Sequence, residues 1–142
     1  MPRGTTLLET LVALTVIGIL GGGALWSFAR FNDRLRVDVE AGRILAAYRR
    51  AQVHATALGL PTDLLVTQDS LVIRAIGLTD TTLVWRAVGP TQSGVSLAPA
   101  LHVSGYAPSG AGRGPSNATH VLTRGGAQRR VVVSRVGRVR VQ

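Results

Sequence analysis

Twenty consecutive residues without a charge, Thr10 to Ala29, follow directly on a single carboxylate at Glu9. As a helix rising about 1.5 Å per residue, they measure about 30 Å, the thickness of a bilayer's hydrocarbon core. The sequence therefore predicts a membrane span over residues 5–29. In a chain of 142 residues this leaves room for one modest soluble domain.

Glu9 sits at the leading edge of that span, where a carboxylate is costly; an acid at the centre of an inserted helix costs about 2.5–3.5 kcal/mol. Such an acid calls for a partner. Upstream stands a short basic leader, Met1-Pro2-Arg3, and then Gly4. Cleavage after Gly4 would free a positive amine at Thr5, and that amine on a neighbouring copy would neutralise Glu9. The competing readings are a secretory signal peptide cut near Gly23-Ala24 and a plain signal-anchor. An acid fits poorly in the apolar region of a signal peptide. Loop charge does not set the orientation, because Arg30, Arg34 and Arg36 follow the span while Arg3 alone precedes it.

The string Gly4-Thr5-Thr6-Leu7-Leu8-Glu9-Thr10-Leu11-Val12-Ala13-Leu14 resembles the class III signal of type IV pilins and type II secretion pseudopilins. That resemblance implies a prepilin peptidase that cuts after Gly4 and methylates Thr5. It also implies that Glu9 helps subunits assemble into a filament, and that the chain crosses the inner membrane lipid once with its C-terminal domain in the periplasm. Thr5 stands where Phe or Met is usual in the family.

Downstream of residue 30 the pattern becomes amphipathic. Val37, Ala41, Ile44, Tyr48, Ala51, Ala55 and Leu58 recur at alternating spacings of four and three, which makes one apolar stripe on a helix. Arg34 with Asp38 and Arg36 with Glu40 form i,i+4 pairs that read as a solvated opposite face. Gly59 and Pro61 supply the stop. One helix from about Thr6 to Leu58 is predicted, with Gly18 and Gly21-Gly22-Gly23 as a bendable point or as close-packing positions.

From residue 61 to 142 the chain breaks into short β-rich runs separated by turn residues such as Gln68-Asp69, Gly89-Pro90 and Gly125-Gly126. The strands expected are 63–67, 71–76, 82–88, 95–97, 101–104, 119–123, 128–134 and 138–141. The stretch 105–117, rich in Gly, Pro and Ser, reads as a flexible loop without regular structure. The fold class is α+β: a long N-terminal helix packed on antiparallel sheets. Its parts are a leader (1–4), a transmembrane half-helix (5–29), an amphipathic half (30–60) and a β domain (61–142).

Composition removes several functions. The chain lacks Cys and Lys, so it has no disulfide, thiolate metal site, cysteine nucleophile or P-loop lysine. His54, His102 and His120 are scattered, and no Ser, His and acid set or other catalytic pattern declares itself; catalytic, metal and cofactor sites are all read as none. Charge is lopsided instead. Eight Arg face seven acids through Asp80, whereas Thr81 to Gln142 carries eight Arg and no acid, a footprint that suits a polyanion.

The C-terminal end, Ser134-Arg135-Val136-Gly137-Arg138-Val139-Arg140-Val141-Gln142, reads as a tight turn followed by a strand. Alternation puts Arg138 and Arg140 on one face and Val139 and Val141 on the other, with the two arginine Cα atoms about 6.6 Å apart. That interval is close to the spacing of phosphates along a nucleic-acid strand, and guanidinium forks fit phosphate oxygens. Arg130, Arg135, Arg124 and Arg113 are further candidates. The competing explanation is an edge strand kept charged against aggregation.

Gly137-Arg138-Val139-Arg140 also resembles the G-R-x-R motif of FimT-like minor pilins. Leu45-Ala46-Ala47-Tyr48-Arg49-Arg50-Ala51-Gln52 resembles a stretch of the H-type pseudopilin (GspH/FimT) family. The resemblance implies contact of Arg138 and Arg140 with double-stranded DNA during natural transformation, in a minor pilin that packs with other pilin subunits. The alternative it leaves open is an H-type pseudopilin of a type II secretion system that touches protein partners only.

Overall fold

The computed structural model describes residues 6–114 and 117–142, with the side chains of residues 20–25 outside the description. Gly4 and Thr5, the expected processing site, therefore lie outside the described residues. One helix, α1, runs Leu7–Leu58, as the periodicity and stop signals predict. Gly59, at φ +62°, takes the left-handed conformation that ends it.

The chain divides into two units, Met1–Asn32 and Asp33–Gln142. In the first, the amide of Glu9 bonds Thr6 Oγ1 at 3.3 Å, which caps the helix start. The hydroxyls of Thr10 and Thr15 return to the carbonyls of Leu7 and Leu11, each at 2.8 Å, so these polar groups are satisfied within the helix. Leu7, Leu11, Leu14, Ile17, Trp26 and Phe28 stand exposed. Among the described residues no helical run is long and apolar enough to cross a membrane; residues 20–25, in the middle of the uncharged stretch, carry no described side chains.

Among the described residues of the second unit, nine strands follow the helix: β1 (Thr62–Thr67), β2 (Ser70–Ile76), β3 (Thr81–Val88), β4 (Ser96–Ala98), β5 (Leu101–Tyr106), β6 (Gly112–Arg113), β7 (Ala118–Arg124), β8 (Ala127–Val133) and β9 (Val139–Val141). A short 3-10 turn, Pro90–Ser93, precedes β4. They form two antiparallel sheets, ordered β3-β2-β1-β5-β6 and β4-β7-β8-β9. Alternation decides which side chains point inward. Leu64 and Val66, Leu71 and Ile73, and Val131 and Val133 are buried at every second position.

These meet the predicted stripe of α1, from Val37 through Ala55, to form one hydrophobic core. Burying each Ile or Leu contributes about 1.5–3 kcal/mol. Small Ala residues at 41, 47, 51 and 55 let the helix approach the strands. Thr62 closes the corner, donating from its buried hydroxyl to the Ala51 carbonyl at 3.0 Å.

Three expectations are corrected. Leu58, the last residue of the predicted stripe, is 49% exposed at the final turn of the helix and stays outside the core. Glu40 is buried rather than solvated: Arg43 holds its two oxygens at 2.8 and 3.1 Å, and Ser93 donates to it at 2.6 Å. The stretch 105–117 contains the end of β5 and all of β6, because pairing of Gly105 with Arg113 and Tyr106 with Gly112 satisfies a backbone that composition alone marks as irregular.

Candidate nucleic-acid interface

β8 and β9 are joined by the five residues Ser134 to Arg138, in which Arg135-Val136-Gly137 form the turn. The Gly137 amide bonds the Ser134 carbonyl at 2.9 Å, and the Ser134 amide bonds the Arg138 carbonyl at 2.8 Å. Gly137 has φ +81°, the left-handed residue that such a hairpin places after its turn. Packing also demands glycine here, since a Cβ would lie 2.9 Å from Cε1 of Tyr106.

Register then sorts the side chains. Val139 and Val141 pair with Val133 and Val131, whose side chains are buried, so these valines are on the core-facing side of the strand; Val139 packs against the core, while Val141, at the strand end, stays exposed. Arg140 pairs with Val132 on the opposite face. Arg130 exchanges two backbone bonds with Gln142, both 2.8 Å, and so lies on the same outer face, diagonal to Arg140. Arg138 continues that face, its amide bonded to Ser134 Oγ at 3.1 Å. All three arginines are exposed, and none has an acidic partner among the described residues. Arg135 is exposed in the turn.

The other two predicted residues lie apart from this hairpin and are engaged. Arg124 pairs with Asp33 at 2.8 Å and donates to the Ser93 carbonyl, tying β7 to α1 and the 3-10 turn. Arg113 pairs with Asp63 at 3.1 Å across β6, β5 and β1. Arg129, beside Arg130, pairs with Asp38 at 2.5 Å. With Arg43 on Glu40, four of the acids of this unit are thus each tied to an arginine, and Arg130, Arg138 and Arg140 are left for solvent or a ligand.

A groove of about 290 Å³ lies beside β9, lined by Val136 to Arg140 and by Arg49 and Gln52 of α1. The sequence reading did not single out Arg49. A signal was present, for Arg49 has no acid three or four residues away on either side, so no helical ion pair can occupy it. Its neighbour Arg50 lies 4.7 Å from the ring centre of Trp85.

A second polar cluster sits in the core. Tyr48 bonds His120 Nε2 at 2.6 Å and Ser104 at 3.2 Å, and His102 packs edge-on to His120 at 5.4 Å between ring centres. Burial, with His102 beside it, holds His120 down at about 4. Burial lowers His102 as well, raises the Tyr48 phenol, and pushes Tyr106 up to about 12. Two of the three scattered histidines therefore meet. No group of three metal-ligating His, Cys, Asp or Glu side chains forms among the described residues.

The chain is similar in structure to the type IV minor pilin FimU of Pseudomonas aeruginosa. One crystal structure of FimU aligns with a TM-score of 0.63 at 15% identity, covering 79% of this chain and 92% of FimU. The fold is that of a type IV pilin. A second FimU crystal form aligns with a TM-score of 0.55 at 12% identity, covering 74% and 91%. No protein-family model and no curated protein sequence matches. A pilin fold accounts for the order of elements: a helix whose first part is exposed and apolar, and whose second part serves as the spine of a β domain that carries the arginine hairpin.

Proposed function

We propose that this chain is a minor pilin of a type IV pilus or related filament, and that its β8–β9 hairpin binds double-stranded DNA for uptake. In this reading a prepilin peptidase cuts after Gly4, and the chain waits in the inner membrane with its β domain in the periplasm. It then enters the filament with Glu9 facing the Thr5 amine of a neighbouring subunit. The apolar side chains exposed along the start of α1 suit first lipid and then the helices of other subunits.

The DNA reading is carried by one observation: Arg130, Arg138 and Arg140 share one exposed face of a terminal hairpin, without acidic partners, in a unit whose acids are largely taken by other arginines. Binding should be electrostatic and tolerant of sequence, because Trp85, the one indole of the β domain, is engaged by Arg50. The test is titration of the full chain in detergent with a labelled duplex oligonucleotide at two salt concentrations. Wild type binds in a salt-dependent way, and Arg138→Ala/Arg140→Ala lowers the slope of log affinity against log salt by about two. Failure of wild type to bind at low salt would instead favour an H-type pseudopilin that contacts proteins only.

A further inference from the structure

We infer that Arg49 of α1 is a further phosphate-contacting residue, so that one strand's sugar–phosphate backbone runs through the groove between α1 and β9. This rests on the nucleic-acid reading above. Arg49 and Gln52 line the groove from α1, and Val136 to Arg140 line it along the free edge of β9. No acid lines it, and Arg49 is exposed with no partner among the described residues.

Three guanidinium groups around one groove repel one another, and that repulsion is relieved when an anion lies among them. Gln52 steadies the helical wall, since its amide donates to the Gly110 carbonyl at 2.8 Å. The two-residue interval between Arg138 and Arg140 spans about 6.6 Å, and a phosphodiester chain repeats at a comparable interval, which a compact acidic group does not. Arg49 then reaches the strand from α1 while Arg138 and Arg140 reach it from β9, and the contact becomes a clamp built from two elements instead of a patch on one.

The full chain in detergent is titrated with a labelled mixed-sequence duplex of about 20 base pairs, comparing wild type, Arg49→Ala, Arg49→Gln, Arg138→Ala/Arg140→Ala and Arg74→Ala. Arg74 is an exposed arginine of β2, in the other sheet, and controls for loss of one charge. Both Arg49 variants should bind roughly five- to tenfold more weakly near 0.1 M salt and lower the salt slope by about one, while Arg74→Ala stays within about twofold of wild type. If the Arg49 variants match Arg74→Ala while the double variant loses binding, the clamp is wrong and the hairpin site stands. If wild type itself does not bind the duplex, the site and the clamp fall together.

Discussion

His120 is enclosed on β7 and shares a hydrogen bond with Tyr48, a residue of the helix, with Ser104 and His102 of β5 beside it. Charging the ring there means placing a cation in the core next to a second imidazole. Its folded-state value near 4 lies below the ordinary 6.5, so the unfolded chain binds the proton more readily. The contribution of neutral His120 is complete above about pH 6.5 and is lost as pH falls toward 4, up to about 3 kcal/mol over the window. His102 is shifted in the same direction by its own burial. Urea midpoints between pH 7 and 4 should fall more steeply for wild type than for His120→Gln, and the difference between the curves isolates the histidine. Parallel curves would show that the ring is protonated without cost. Nothing in the sequence marks this group, since Tyr48, Ser104 and His120 are brought together only by packing helix against both sheets.

At the scale of elements, the β8–β9 hairpin is where local sequence and long-range packing agree. Ser134 to Gly137 specifies the turn by itself, because only glycine accepts φ +81° without strain. Its depth in the fold is set by Tyr106 of β5, in the other sheet. Gly137→Ala meets both objections at once and should cost about 1–3 kcal/mol, read as a lower urea midpoint with the slope preserved. An unchanged midpoint would mean that the turn and Tyr106 shift apart freely. The strand alternation that put Arg138 and Arg140 on one face was legible in the sequence, since period two is a local property. Their relation to Arg130 was not, because it depends on the register that sets Val132 opposite Arg140.

At the scale of the whole molecule, the buried apolar side chains among the described residues all fall between Val37 and Val133, within the unit Asp33–Gln142. A fragment beginning at Asp33 keeps the stripe, both sheets and the Asp33–Arg124 ion pair. It should stay soluble without detergent and unfold in one cooperative urea transition; a broad, non-cooperative transition would show that the first half of α1 is needed for the fold. The sequence by itself determined the long helix, its stop at Gly59, most of the strands and the charge imbalance. Periodicity, turn residues and composition are properties of neighbouring positions and need no tertiary information. Only the tertiary structure decided that Glu40 is buried, that residues 105–113 contribute strands, and which arginines are spent. Arg124 and Arg129 find acids 91 residues away, and Arg113 finds one 50 away. The partner of a charge is fixed by distance through space, and the sequence records only distance along the chain.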